Sequence, residues 1–88
     1  MKTIYKYELM SNTDTYKLPP YAEILTVQVQ GGVPMMWVLI DKDVDMDHPD
    51  ARIIEVYGTG HPIADGLRKY IATFQLPGLV FHVFERTG

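Results

Sequence analysis

The chain has 88 residues, of which 47% are hydrophobic and 22% charged, with a formal charge of −3 and no cysteine. That length holds one small domain, and the composition is that of a folded globular protein. Disulfides, a thiolate nucleophile and a cysteine zinc site are excluded, and the negative charge argues against a nucleic-acid binder that neutralises phosphates.

Period two dominates the chain. Tyr5, Tyr7 and Leu9 fall on one face of a first strand, with Lys6 and Glu8 on the other. Ser11, Asn12, Thr13 and Asp14 form a turn, and residues 15–18 a short strand stopped by Pro19 and Pro20. Residues 22–30 (AEILTVQVQ) read as a strand with Leu25, Val27 and Val29 inward and Thr26, Gln28 and Gln30 outward. Gly31 and Gly32 supply the positive φ angles of a tight hairpin. Pro34 has no amide hydrogen and belongs at the start of the return strand, residues 35–40, which is apolar on both faces.

Residues 41–50 (DKDVDMDHPD) are a polar loop, and residues 52–57 (RIIEVY) the next strand. The loop Gly58-Thr59-Gly60-His61-Pro62 follows, and residues 64–69 have room for at most one helical turn before a strand over residues 70–75. Pro77 and Gly78 suit the centre of a type II turn, and residues 79–86 (LVFHVFER) form the last strand. Six or seven short strands at hairpin spacing imply an all-β fold, a small antiparallel sandwich or open barrel over residues 1–88. So small a core leaves surplus apolar surface, and the doubly apolar strand at 35–40 points to a homo-oligomer, a dimer first.

The N-terminal MKTIYKYELMSNTD lacks the apolar stretch of a signal peptide, and no run of about 20 apolar residues exists to span a bilayer. A cytoplasmic protein with no membrane partner is expected. Asp41, Asp43, Asp45, Asp47 and Asp50 suggest a calcium loop, but the sixth position is Met46 and the twelfth Arg52, where that motif needs glycine and glutamate. A solvated acidic loop is the simpler reading. His48, His61 and His82 show no ligand spacing, so neither metal nor cofactor is expected.

The segment Gly58-Thr59-Gly60-His61-Pro62-Ile63 is the most unusual stretch. Successive glycine-rich amides can cradle an anion, His61 can add a hydrogen bond, and Arg68 and Lys69 can supply charge. The ligand-binding candidates are therefore Gly58, Thr59, Gly60, His61, Arg68 and Lys69, with Tyr57 or Trp37 as a stacking face. A sharp glycine turn between strands explains the same residues without a ligand. The lysine and helix of a nucleoside-triphosphate loop are missing. Nucleophilic catalysis has little basis, since only Thr59 among the hydroxyl residues lies close to a histidine in sequence, and Asp65 near His61 has no enclosed cleft in so small a β domain. No enzyme activity is expected.

Four segments carry a resemblance: IYKYEL at residues 4–9, AEILTVQVQ at 22–30, GTGHPI at 58–63 and YIATFQ at 70–75, with the closing LVFHVFE. Together they resemble a family of small domains of unknown function common in tailed-bacteriophage genomes and prophages. The resemblance spans nearly the whole chain and implies a small accessory phage protein acting in the host cytoplasm, with no catalytic residue to carry over. Such proteins act by binding. The expected function is a homo-oligomer that counters host defence by capturing a small anionic nucleotide signal. The alternatives are a protein–protein inhibitor that covers a host factor with its acidic surface, and a virion or assembly component.

Overall fold

The structure is a computed structural model, and it describes residues 1–9, 12–44 and 46–88. Seven strands build it: β1 (Lys2–Glu8), β2 (Asp14–Leu18), β3 (Glu23–Gln30), β4 (Val33–Asp41), β5 (Asp50–Gly58), β6 (Arg68–Leu76) and β7 (Leu79–Arg86). They form a three-stranded sheet in the order β1-β4-β3 and a four-stranded sheet in the order β2-β5-β7-β6, and every pairing is antiparallel. The expected all-β sandwich is the fold, and no closed barrel forms. Among the described residues no helix is long and apolar enough to cross a membrane. Ser11 of the predicted turn and Asp45 of the acidic loop lie outside the described residues.

Alternation makes the core. Met36, Val38 and Ile40 of β4 are buried in one cluster with Ile54 of β5, Val83 of β7 and Ala72 and Phe74 of β6, with Leu9, Leu18, Ala22 and Val27 completing it. Phe74 stacks on Phe81 with ring centroids 5.3 Å apart. The two glycine hairpins are as expected: Gly31 and Gly32 have φ of 59° and 80°, and Gly78 has φ of 78° after Pro77.

Residues 64–69 make no helical turn, within the limit of at most one; β6 begins at Arg68, and the segment before it is irregular. One expectation is corrected: Leu25 and Val29 do not pack inward beside Val27. The register with β4 shifts between Ile24 and Thr26, so Leu25 is the extra residue of a bulge and is 39% exposed. Ile24, opposite Val38, takes its place in the core, while Val29 sits at the hairpin end and is 36% exposed. β6 has a matching irregularity between Tyr70 and Ala72.

β5 and β6 are both antiparallel to β7, which lies between them, so the two run in the same direction and residues 59–67 form a crossover. At the other end of the molecule Ala22 N–H donates to the Pro19 carbonyl at 3.2 Å, closing a turn that holds Tyr21 at φ 63°. A left-handed conformation costs a side-chain-bearing residue about 1–2 kcal/mol, and Tyr21 is 91% exposed with little contact to offset it. Tyr21→Gly is therefore expected to hold or raise the stability, by up to about 1 kcal/mol after the extra backbone entropy of glycine, read as an unchanged or higher thermal midpoint. A clear fall in that midpoint would show that the tyrosine ring contributes more than its backbone strain removes.

Candidate functional site

Gly58 ends β5, and Thr59 and Gly60 turn the chain outward, with Gly60 at φ 84°. The amides of this loop are largely occupied within the chain. Thr59 N–H donates to the Val80 carbonyl at 3.2 Å and His61 N–H to the Gly58 carbonyl at 3.1 Å. The His61 ring lies so close to Gly58 that a Cβ there would sit 3.0 Å from it. Each glycine thus has a backbone reason, one for close approach and one for positive φ. With Gly78, Leu79 and Phe81 the loop lines a hollow open to solvent.

The structure does not bring Arg68 and Lys69 to this loop. Gly58 is paired with Phe81 and Arg68 with Arg86, five residues apart along β7, or roughly 17 Å. Arg68 and Lys69 also point to opposite faces, because they are neighbours on a strand. Arg68 Nε donates to Glu55 Oε1 at 2.8 Å, and Arg86 donates through Nε and Nη2 to Oε2 at 3.1 and 2.7 Å. Glu55 is fully buried, while the Arg68 side chain is 13% exposed. The Arg68 guanidinium holds the Glu55 carboxyl below its ordinary range, against the opposing effect of burial and with further help from Arg86. Lys69 is opposite Glu85, beside Arg52, at the seam where β3 meets β6. There Arg52 forks onto the Glu85 carboxylate through Nε and Nη2, and its Nη1 donates at 2.9 Å to the carbonyl of Ala22, just before β3 of the other sheet.

Sequence reasoning missed a hydrogen-bonded chain beside the loop. Thr59 Oγ1 lies 2.8 Å from His82 Nε2, His82 Nδ1 lies 3.1 Å from Thr73 Oγ1, and Thr73 Oγ1 lies 2.8 Å from the Tyr70 hydroxyl. Thr59 Oγ1 donates to the Val80 carbonyl at 3.3 Å, so the neutral imidazole that fits has its proton on Nε2 and accepts from Thr73 at Nδ1. Thr73 and His82 are cross-strand partners, a pairing invisible until the register is known. The chain contains no carboxylate and ends on a backbone carbonyl. Its plain effect is to fasten the first residue of the crossover to the outer face of β6 and β7. Edge-on contacts of Phe84 with Tyr57 and Tyr70 extend the same face. Among the described residues no group of three histidines or acids is placed to hold a metal.

The other outer face, that of the three-stranded sheet, is apolar at its centre. The cross-strand rows place Ile4 beside Leu39, Lys6 beside Trp37 and Glu8 beside Met35. Ile4 is 55% exposed, and Met35, Trp37 and Leu39 are half-buried. Lys6 Nζ sits 5.8 Å from the Trp37 ring centroid and 2.9 Å from Gln30 Oε1, spanning the face above β4. Trp37 therefore belongs to a different surface from the Gly58–His61 loop, whereas Tyr57 adjoins that loop. In the acidic loop the Asp43 N–H donates to Asp41 Oδ1 at 3.0 Å and, ahead of the N-terminal amino group, lowers the Asp41 carboxyl.

Over residues 1–88 the chain matches the model of DUF7352, a domain of unknown function, and it belongs to that family. No curated protein and no solved structure matches it.

Proposed function

We propose that this member of the family is a non-enzymatic, homo-oligomeric binding domain that meets a protein partner on the outer face of its three-stranded sheet. Following the resemblance to phage proteins, we read it as a phage accessory protein that acts on a host factor in the host cytoplasm. One observation carries the reading: the apolar column of Ile4, Leu39, Trp37 and Met35 on a sheet face, rimmed by Lys6 and Glu8. Apolar centres with charged rims are the usual anatomy of a protein-binding surface. Capture of a nucleotide signal by Gly58, Thr59, Gly60 and His61 has weaker support, because Thr59 and His61 donate their amides within the chain and Arg68 is held by Glu55.

Trp37 is the only tryptophan, so it reports on its own surface. A host protein recovered with the wild type is expected to shift Trp37 emission to the blue and to lose at least tenfold in affinity on Trp37→Ala, in keeping with a buried aromatic anchor. Reversing Asp43 and Asp47 to lysine leaves that binding in place. The reading fails if the acidic-loop reversal abolishes binding while Trp37→Ala does not. It fails equally if native mass spectrometry after incubation with nucleotide extract shows a few hundred daltons added per site.

A further inference from the structure

We infer that β1 is the oligomer contact, pairing antiparallel with β1 of a second copy about a two-fold axis through Tyr5. The inference rests on the homo-oligomer reading above and gives it a surface and a register. β1 is an edge strand, seven residues long, paired with β4 without a register shift. The other three edges are blunted. β3 and β6 are both irregular and lie against each other at the seam, and β2 has five residues and stops at Pro19.

The backbone direction of β1 follows from its bonds. The Met1 carbonyl accepts from Lys42 N–H at 2.8 Å, and Leu9 N–H donates to the Pro34 carbonyl at 3.0 Å. Odd-numbered residues therefore face β4, and Lys2, Ile4, Lys6 and Glu8 turn their N–H and C=O groups to the open edge. The Tyr16 hydroxyl reaching the Glu8 carbonyl at 3.3 Å agrees with that direction and leaves the second lone pair of this oxygen for a partner.

A symmetric antiparallel pair must bond even residues to even residues. A two-fold axis through Ile4 sets Lys2 against the partner's Lys6, and one through Lys6 sets that lysine against its own copy. Axes through Thr3 or Tyr7 engage only three residues of the strand, whereas the axis through Tyr5 engages all seven and opposes unlike groups: Lys2 meets the partner's Glu8 twice by symmetry, Ile4 meets the partner's Lys6, and Tyr5 stacks on its counterpart. Ile4 and Tyr5 are 55% and 44% exposed in the single chain, and this pairing covers them. The product is a six-stranded sheet in which the two Trp37 faces lie side by side.

The test is charge exchange at two exposed positions. Sedimentation or native mass spectrometry is expected to show a dimer for the wild type. Lys2→Glu alone and Glu8→Lys alone each place like charges opposite one another twice and weaken the dimer by roughly tenfold or more. Mixing the two variants pairs opposite charges again and yields a heterodimer near wild-type strength. Circular dichroism of each variant confirms that the monomer stays folded. A wild type that remains monomeric into the high micromolar range overturns the inference. So does a dimer indifferent to both substitutions, including one that only Trp37→Ala dissociates. A monomer that still binds its partner through Trp37 overturns the edge pairing and the homo-oligomer with it, and leaves the protein-binding face standing.

Discussion

Glu55→Ala is expected to be the largest single loss of stability in the domain, enough to unfold it at the low end of the range for a chain of this length. The substitution strands two guanidinium groups, one of them 13% exposed, on a face where Glu55 itself has no solvent contact. Breaking a buried ion pair in this way costs about 3–5 kcal/mol. An 88-residue domain has on the order of 4–13 kcal/mol in total, by the usual stability per residue. Chemical denaturation followed by circular dichroism measures the loss directly. Glu55→Gln keeps the shape and part of the hydrogen bonding, so it falls between the two. Replacing Glu55, Arg68 and Arg86 together with apolar residues is expected to recover most of the stability, since no charge is then left unpaired. Acid dependence supplies a second reading of the same group. The Glu55 carboxyl is held below its ordinary 4.5, so its stabilising contribution is complete above that value. As pH falls through the depressed value of the folded state, the contribution disappears. Stability is thus expected to be level from neutrality to about pH 5 with respect to this group and to decline below it, with that part of the decline missing in Glu55→Gln. An alanine variant as stable as the wild type would sink the account.

Arg52→Ala is expected to cost about 3 kcal/mol, the second largest single loss, and to act on the joint between the sheets. Arg52 is the piece of β5 that reaches across: two of its nitrogens hold Glu85 and the third holds the Ala22 carbonyl just before β3. Its side chain is 21% exposed and that of Glu85 12%, so water replaces these bonds poorly. Arg52→Lys retains the charge but not the planar fork, and recovers less than half of the loss. Hydrogen exchange separates this effect from general destabilisation. Protection of the Ala22 to Ile24 amides is expected to fall further than that of the β4 amides. Equal loss at both places would show that Arg52 does not join the sheets locally.

Much of this architecture is written in local sequence. Period two places Met36, Val38 and Ile40 on one face, and the glycine pair at Gly31 and Gly32 and the Pro77-Gly78 pair give the hairpins their left-handed turns. The face of Leu25 was not legible, because a bulge is set by how β3 fits against β4 and not by its own alternation. The site was less legible still. Arg68 and Lys69 look like one basic pair in the sequence, yet a strand starting at Arg68 sends them to opposite faces. Glu55 alternates with apolar neighbours and reads as an ordinary solvent-facing residue. Its burial depends on Arg68 and Arg86, which arrive from strands well removed in the chain. The Thr59–His82–Thr73–Tyr70 chain needs two registers and a crossover before all of its members meet.

The place of β7 between β5 and β6 also constrains when the molecule can form at all. The last of these seven strands in chain order is an interior strand, and it carries the pairing of both its neighbours in the sheet. While the ribosome still covers residues beyond Gly78, β5 has only short β2 to pair with, and β6 has no hydrogen-bonded neighbour. The Glu55 carboxylate waits as well, with Arg86 not yet delivered. Completion of the four-stranded sheet therefore waits until β7 has emerged, at the slow rates typical of distant strand pairing. During that interval an unpaired, aromatic-rich β6 is the segment most in need of protection from aggregation.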